Sequence, residues 1–252
     1  MKERNGNVMI RVLFLPAIGA ILLMSGLSLQ GCSSSPTQPV SNVTMLDPVA
    51  EWRFDENSGT IVHDSSIYDN NGYAVGTTIV PGRFGNARQF NGAGDYVYVP
   101  NPLNGAFNFG QNQSFTIDLW FKTTSDSLQD IIRKGSAPIP GFFIQTNNGK
   151  VNAGIGADVN SPPPDSVIII ESTMKYNDGQ WHEVRFIRDR QKQELCLYVD
   201  GVQAAPPVPE TFPELVENDH ILTIGRWENQ IYPLYFKGSI DEIRIWSDAV
   251  YQ

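Results

Sequence analysis

Residues Gly179–Gly201, GQWHEVRFIRDRQKQELCLYVDG, hold two runs in which apolar and polar side chains alternate, closed by an Asp-Gly pair. A period of two sends successive side chains to opposite faces, which suits a strand and excludes a helix with one apolar stripe. In the first arm Val184 and Phe186 share a face, with His182 in register, while Trp181, Glu183, Arg185 and Ile187 share the other. In the second arm Leu195, Leu197 and Val199 alternate with Cys196 and Tyr198. Asp200-Gly201 supplies the positive φ of a tight turn into the next strand. The segment reads as a β-hairpin, and an all-β scaffold is the expectation for the rest.

The remaining segments agree. VAEWRF (Val49–Phe54), YVYV (Tyr96–Val99) and SFTIDLWFK (Ser114–Lys122) alternate in the same way. In the last of these Phe115, Ile117, Leu119 and Phe121 form a core face, and Thr116, Asp118, Trp120 and Lys122 a half-buried one. Further strands are expected at Gly72–Thr77, Ala87–Asn91, Asp130–Lys134, Phe142–Thr146, Lys150–Gly156, Ser166–Glu171, His220–Gly225 and Ser239–Trp246, separated by Gly-, Pro- and Asn-rich turns. Regular spacing of short strands argues for a sandwich rather than a βα alternation. One turn of helix around Ser127–Ile131, or after Ser247, is all the pattern allows.

The amino-terminal stretch is different material. Met1–Gly31 carries Lys2, Arg4 and Arg11 ahead of the apolar run VLFLPAIGAILLM. That run is shorter than the roughly 20 residues of a spanning helix and has the order of a secretory signal. Leu29-Gln30-Gly31-Cys32 resembles the lipobox of bacterial lipoproteins, which implies a lipid on Cys32 and a membrane anchor; an ordinary secreted protein with an incidental Cys32 is the alternative. Ser33–Asn42, SSSPTQPVSN, reads as a flexible tether. The expected division is residues 1–31 signal, 32–48 lipidated cysteine and tether, and 49–252 a folded domain at the cell envelope, on the outer membrane or cell surface. Without the signal's net +2, the formal charge of −9 becomes −11. So acidic a domain is a poor partner for nucleic acid or anionic headgroups. With Cys32 lipidated, Cys196 has no partner, so neither a disulfide framework nor a cysteine zinc site is available.

EWRFDENSGT, PGRFGNARQFNGAGDYVYV, SFTIDLWFK, DGQWHEVRF, LYVDG and GSIDEIRIW follow one another in an order that resembles the laminin-G-like, concanavalin-A-like jelly rolls of bacterial surface proteins. The resemblance covers about Val49–Trp246. It implies an antiparallel two-sheet jelly-roll sandwich. It leaves function open, because this superfold hosts lectins, glucanases, pentraxin-like binders and structural modules.

Function must therefore come from a site. Glycoside hydrolysis needs two carboxylates facing one bond. Asp118 stands alone on its strand, and adjacent Asp241 and Glu242 alternate to opposite faces, so neither strand builds that pair locally. His63, His182 and His220 are scattered and no nucleophile motif occurs, so a non-catalytic module is expected. The loop after Phe54 offers Asp55, Glu56, Asp64 and Asp69, and Ca²⁺ takes six to eight such oxygens. The family resemblance implies a structural Ca²⁺ joining Asp55 or Asp64 to Asp241; an acidic turn held by its own Asx hydrogen bonds is the alternative. Trp52, Trp120, Trp181 and Trp246 are assigned to core packing, leaving Trp227, Glu228, Asn229, Tyr232 and Tyr235 as the aromatic-polar candidate for a ligand. Pentraxin-like relatives favour Glu228 as well. The expected partner is a glycan or a surface protein. A structural module of the envelope and a glycan hydrolase or lyase are the alternatives.

Overall fold

A computed structural model describes residues 47–135, 139–156, 167–211, 218–227 and 233–251. Cys32, Glu228, Asn229 and Tyr232 lie outside them. Two antiparallel sheets enclose the core. The nine-stranded sheet runs β14 (Val202–Gln203), β13 (Glu194–Val199), β12 (His182–Asp189), β7 (Phe115–Lys122), β19 (Lys237–Trp246), β5 (Asn86–Asn91) and β4 (Thr78–Pro81). Beside this path β1 (Ala50–Trp52) pairs with β19, and β15 (Val208–Pro209) with β13. The eight-stranded sheet runs β11 (Val167–Lys175), β10 (Lys150–Gly156), β9 (Gly141–Asn147), β8 (Gln129–Lys134), β16 (Leu222–Ile224), β6 (Tyr96–Val99), β3 (Gly72–Val75) and β2 (Ile61–Val62). A short hairpin, β17 (Arg226–Trp227) with β18 (Leu234–Tyr235), completes the described strands.

The alternation read from the sequence sets the core. Val184, Phe186, Leu195, Leu197 and Val199 of the β12–β13 hairpin are buried against Phe115, Ile117, Leu119 and Phe121 of β7. Phe109, Phe115, Phe142 and Phe186 join into one aromatic cluster, with Phe109 stacked on Phe115 at 4.6 Å. Gln129–Lys134 is strand throughout, so the helical turn allowed at Ser127–Ile131 is not formed.

Three expectations change. Thr116 and Asp118 are fully buried, not half-buried. The carboxy-terminal segment covers Thr116, whose hydroxyl donates to the Asp248 carbonyl at 2.7 Å, and Arg185 neutralises Asp118. Of the strand tryptophans only Trp52 is core; Trp120, Trp181 and Trp246 lie half-buried, outside the central cluster. Asp241 and Glu242 do not alternate. Register skips between Asp241 and Arg244 opposite Trp120 and Asp118, and Glu242 takes a φ of 51°. Such a bulge inserts one residue and bends the strand. It falls where β19 changes partner, from β5 along Lys237–Ile240 to β1 along Ile243–Ile245. Ile240 and Ile243 both face the core, so Asp241 and Glu242 share the outer side.

Candidate functional site

On the outer face of the eight-stranded sheet, direct cross-strand neighbours form two rows. One reads Tyr73, Tyr98, Thr223, Arg133, Phe143. The other reads Asp130, Gln145, Asn152, Glu171. The sequence dictates this. In GYAV and YVYV the small and branched residues Ala74, Val97 and Val99 take the core side, leaving Tyr73, Tyr96 and Tyr98 outside. Tyr73 stacks on Tyr98 at 5.3 Å and remains 39% exposed. Tyr96 lies 6.3 Å from Tyr98 and carries the Arg226 guanidinium over its ring at 4.3 Å. Aromatic faces of this kind stack on the apolar faces of sugar rings, while neighbouring polar groups orient the hydroxyls.

At the centre, Arg133 lies between the Phe143 and Trp227 rings, 4.5 and 4.6 Å from their centroids. Its Nε donates to Asp130 Oδ2 at 2.5 Å and its Nη2 to Gln145 Oε1 at 3.4 Å. Burial pushes the Asp130 carboxyl up, against the pull of Arg133. Further along, Lys150 and Asn152 donate to Glu171, both at 2.8 Å, and hold its carboxyl below the usual range. Asn152 Oδ1 is buried without a partner among the described residues. The end carboxylates, Asp130 and Glu171, are three strand spacings apart, roughly 14 Å at about 4.8 Å per strand. Glycosidase pairs stand within about 10 Å.

Of the ligand residues expected from sequence, Trp227 pairs with Leu234, and Tyr235 with Arg226. Trp227 is half-buried over Arg133, with its Nε1 buried and unpartnered among the described residues. It belongs to this face rather than to a projecting loop. Sequence reasoning missed the tyrosines, although the YVYV alternation that marked the strand also marked its outward face.

The acidic residues separate into two groups. Asp64 spends both oxygens on its own neighbourhood: Oδ1 accepts from the Glu51 and Ser66 amides at 2.8 and 2.9 Å, and Oδ2 from Ser66 Oγ and the Asn70 amide at 2.7 and 2.8 Å. Asp55 and Asp241 instead meet the same turn. Asp55 Oδ1 accepts from the Asn86 amide at 2.9 Å, and Asp241 Oδ2 from the Arg83 and Phe84 amides at 2.8 and 3.1 Å. The approach requires glycine: a Cβ on Gly82 would lie 2.6 Å from Asp241 Oδ2, and one on Gly85 1.9 Å from Asp55 Oδ1. Asp241 Oδ1 is buried with no partner among the described residues, and burial, with Glu242 adding, pushes the carboxyl up to about 6. Among the described residues no three His, Cys, Asp or Glu side chains gather closely enough to hold a metal by themselves. An orphaned carboxylate oxygen nonetheless fits one ligand position of a hard cation whose other oxygens come from backbone and water. His182 has a structural place: its ring nitrogens lie 2.8 Å from Asp200 and 3.1 Å from Asp178, joining the start of β12 to the Asp-Gly turn.

Residues 91–252 match the family model of the concanavalin A-like lectin/glucanases superfamily. No curated protein sequence matches the chain. Among solved structures, the botulinum neurotoxin serotype G binding domain is similar with a TM-score of 0.62 at 10% identity, over 81% of this chain and 48% of that one. The botulinum neurotoxin DC binding domain in complex with rat synaptotagmin II gives 0.60 at 14%, over 81% and 49%. The same domain in complex with SialylT gives 0.59 at 12%, over 82% and 49%. The chain thus spans about half the length of these structures, and identities this low speak for the fold alone.

Proposed function

Because the chain belongs to the concanavalin A-like lectin/glucanase superfamily, we propose that its jelly roll binds carbohydrate on the tyrosine-bearing face of the eight-stranded sheet and does not cleave it. The observation that carries this reading is the stacked Tyr73–Tyr98 step beside the Gln145–Asn152–Glu171 polar row. The large separation of Asp130 and Glu171 supports binding over hydrolysis. A protein ligand is the second reading; the similar botulinum neurotoxin DC binding domain is in complex with rat synaptotagmin II in one structure and with SialylT in another. Binding would take place at the cell envelope through lipidated Cys32, which the mass of the mature amino terminus reports.

Tyr98→Ala is expected to weaken glycan binding about tenfold or more on an array, since stacking and the polar contacts it positions together contribute on the order of 1–2 kcal/mol. It should leave the fold intact, because the ring lies outside the core. Trp227→Ala is a poorer probe, for it also uncovers Arg133. Unchanged binding by Tyr98→Ala would remove this face from the site.

A structural Ca²⁺ at the Gly82–Gly85 turn is part of the same reading. Asp241 and Asp55 would hold it, and its charge would compensate the buried carboxylate; Asp64 would remain with its Asx bonds. At a hundredfold excess over Kd the ion would add about 2.7 kcal/mol, on the order of 5–10 °C in Tm for a domain of this size. Asp241→Asn should abolish the gain. A Tm that a chelator leaves unmoved would exclude the ion.

A further inference from the structure

A recess lies on the outer face of the other sheet. It is a cleft of about 660 Å³, within the range of about 300–1,000 Å³ that takes small ligands. Its floor includes a cross-strand row, Lys122, Ser239, Gln89 and Thr78, from four adjacent strands, with Lys237 opposite Asn91 beside it. Six lysines fall among the described residues. Lys150, Lys175 and Lys192 each have a carboxylate partner, and Lys134 is enclosed by the Asn218 and His220 carbonyls and the Asn101 side chain. The two with neither a carboxylate partner nor such an enclosure among the described residues, Lys122 and Lys237, are the two that line this cleft.

In a chain with 27 acidic and 18 basic residues, the cleft thus gathers two ammonium groups that no carboxylate pairs with among the described residues. The acidic side chain in the cleft, Asp95, forms no ion pair with either lysine among the described residues; its oxygens accept from the Asn91 amide and Nδ2, both at 2.9 Å. The remaining lining suits hydroxyls. Gln89 accepts from Thr78 Oγ1 at 3.4 Å, which leaves its amide N–H donors available. Lys122 Nζ lies over the Trp181 ring, 5.4 Å from its centroid, at the edge of the row. Two ammonium groups, an amide and the Ser239 and Thr78 hydroxyls match a sugar ring bearing a negative charge.

We propose that this cleft binds an anionic saccharide, a sugar unit carrying a carboxylate or a sulfate held between Lys122 and Lys237 over the Ser239–Gln89 floor. The inference stands apart from the tyrosine face, which lies on the opposite sheet. Calorimetry of the full chain with tetragalacturonate, its methyl ester and a sulfated galactose tetramer tests it. The acid or the sulfated probe binds at least about tenfold more tightly than the ester, and the preference shrinks as salt screens the lysines. Binding by only one of the two anions identifies the charged group. K122Q with K237Q removes the preference, and K237Q alone, at an exposed side chain, reduces it; Tyr98→Ala leaves it in place. The proposal is overturned if neither anionic probe binds more tightly than the ester, or if K237Q and the double variant both bind as the unaltered chain does.

Discussion

Replacing Trp52 by alanine is expected to destabilise the domain by about 3–5 kcal/mol, the cost of removing a large aromatic from a closed core. For a domain of this size that corresponds to a Tm lower by on the order of 10 °C. Trp52 is fully buried on a strand of three residues, β1, whose pairing with Ile243–Ile245 secures the amino-terminal edge. Its ring meets Phe107 at 5.8 Å, and Nε1 donates to the Asn70 carbonyl at 2.9 Å. Asn70 Nδ2 in turn donates to the Val49 carbonyl at 2.9 Å, so one indole ties β1 to the Asx-rich loop. Alanine would lose the ring's apolar burial, leave a cavity and strand a buried carbonyl. Trp52→Phe keeps most of the area and should lose only about 1–2 kcal/mol, chiefly the hydrogen bond. Urea unfolding of both variants gives the comparison. An alanine variant within 1 kcal/mol of the unaltered chain, taking about 1 kcal/mol as the size of an ordinary mutation, would mean that β1 is dispensable.

What the sequence disclosed follows from what one strand knows about itself. Alternation in LCLYV placed Leu195, Leu197 and Val199 inward, because a strand's two faces are fixed by parity alone. Parity carries no information about which strand lies alongside. The rows that make both candidate sites, Tyr73 beside Tyr98 and Lys122 beside Ser239 and Gln89, exist only after pairing brings distant segments together. The same gap hid the burial of Asp118, since its Arg185 partner comes from β12. Thr78–Pro81 went unread as a strand because its proline sits at the end of a sheet-edge segment, where a missing N–H costs little. The bulge at Asp241 was invisible for a related reason: the sequence GSIDEIRIW alternates well enough to conceal an inserted residue. The resemblance of the terminal motifs, rather than periodicity, pairs Asp241 with Asp55 or Asp64; in the fold Asp241 and Asp55 meet the same Gly82–Gly85 turn.

Asp118 supplies the second large effect. Its carboxylate is 2% exposed on the outer side of β7, and its Oδ2 accepts from Arg185 Nε at 2.7 Å and also from Arg185 Nη2, while Oδ1 has no partner among the described residues. Burial outweighs the Arg185 attraction and pushes the carboxyl up to about 6 from an ordinary 3.8. Between these values the folded state binds the proton and the unfolded chain does not, so this group's contribution to stability grows as pH falls through the window and is lost as pH rises above 6. The displacement from 3.8 to about 6 is worth about 3 kcal/mol at most. Arg185→Met removes the cation while keeping an apolar stem of similar length. It is expected to cost about 3–5 kcal/mol at pH 7.5, because a buried carboxylate is left uncompensated. At pH 5 the carboxyl takes up a proton and most of that loss should disappear. Adding Asp118→Asn to Arg185→Met should recover much of the stability at pH 7.5, giving a coupling of at least about 1 kcal/mol in a double-mutant cycle. Equal losses for Arg185→Met at both pH values would instead assign the effect to the packing of the arginine stem against its neighbours, and the buried charge would then be stabilised by something other than its ion pair.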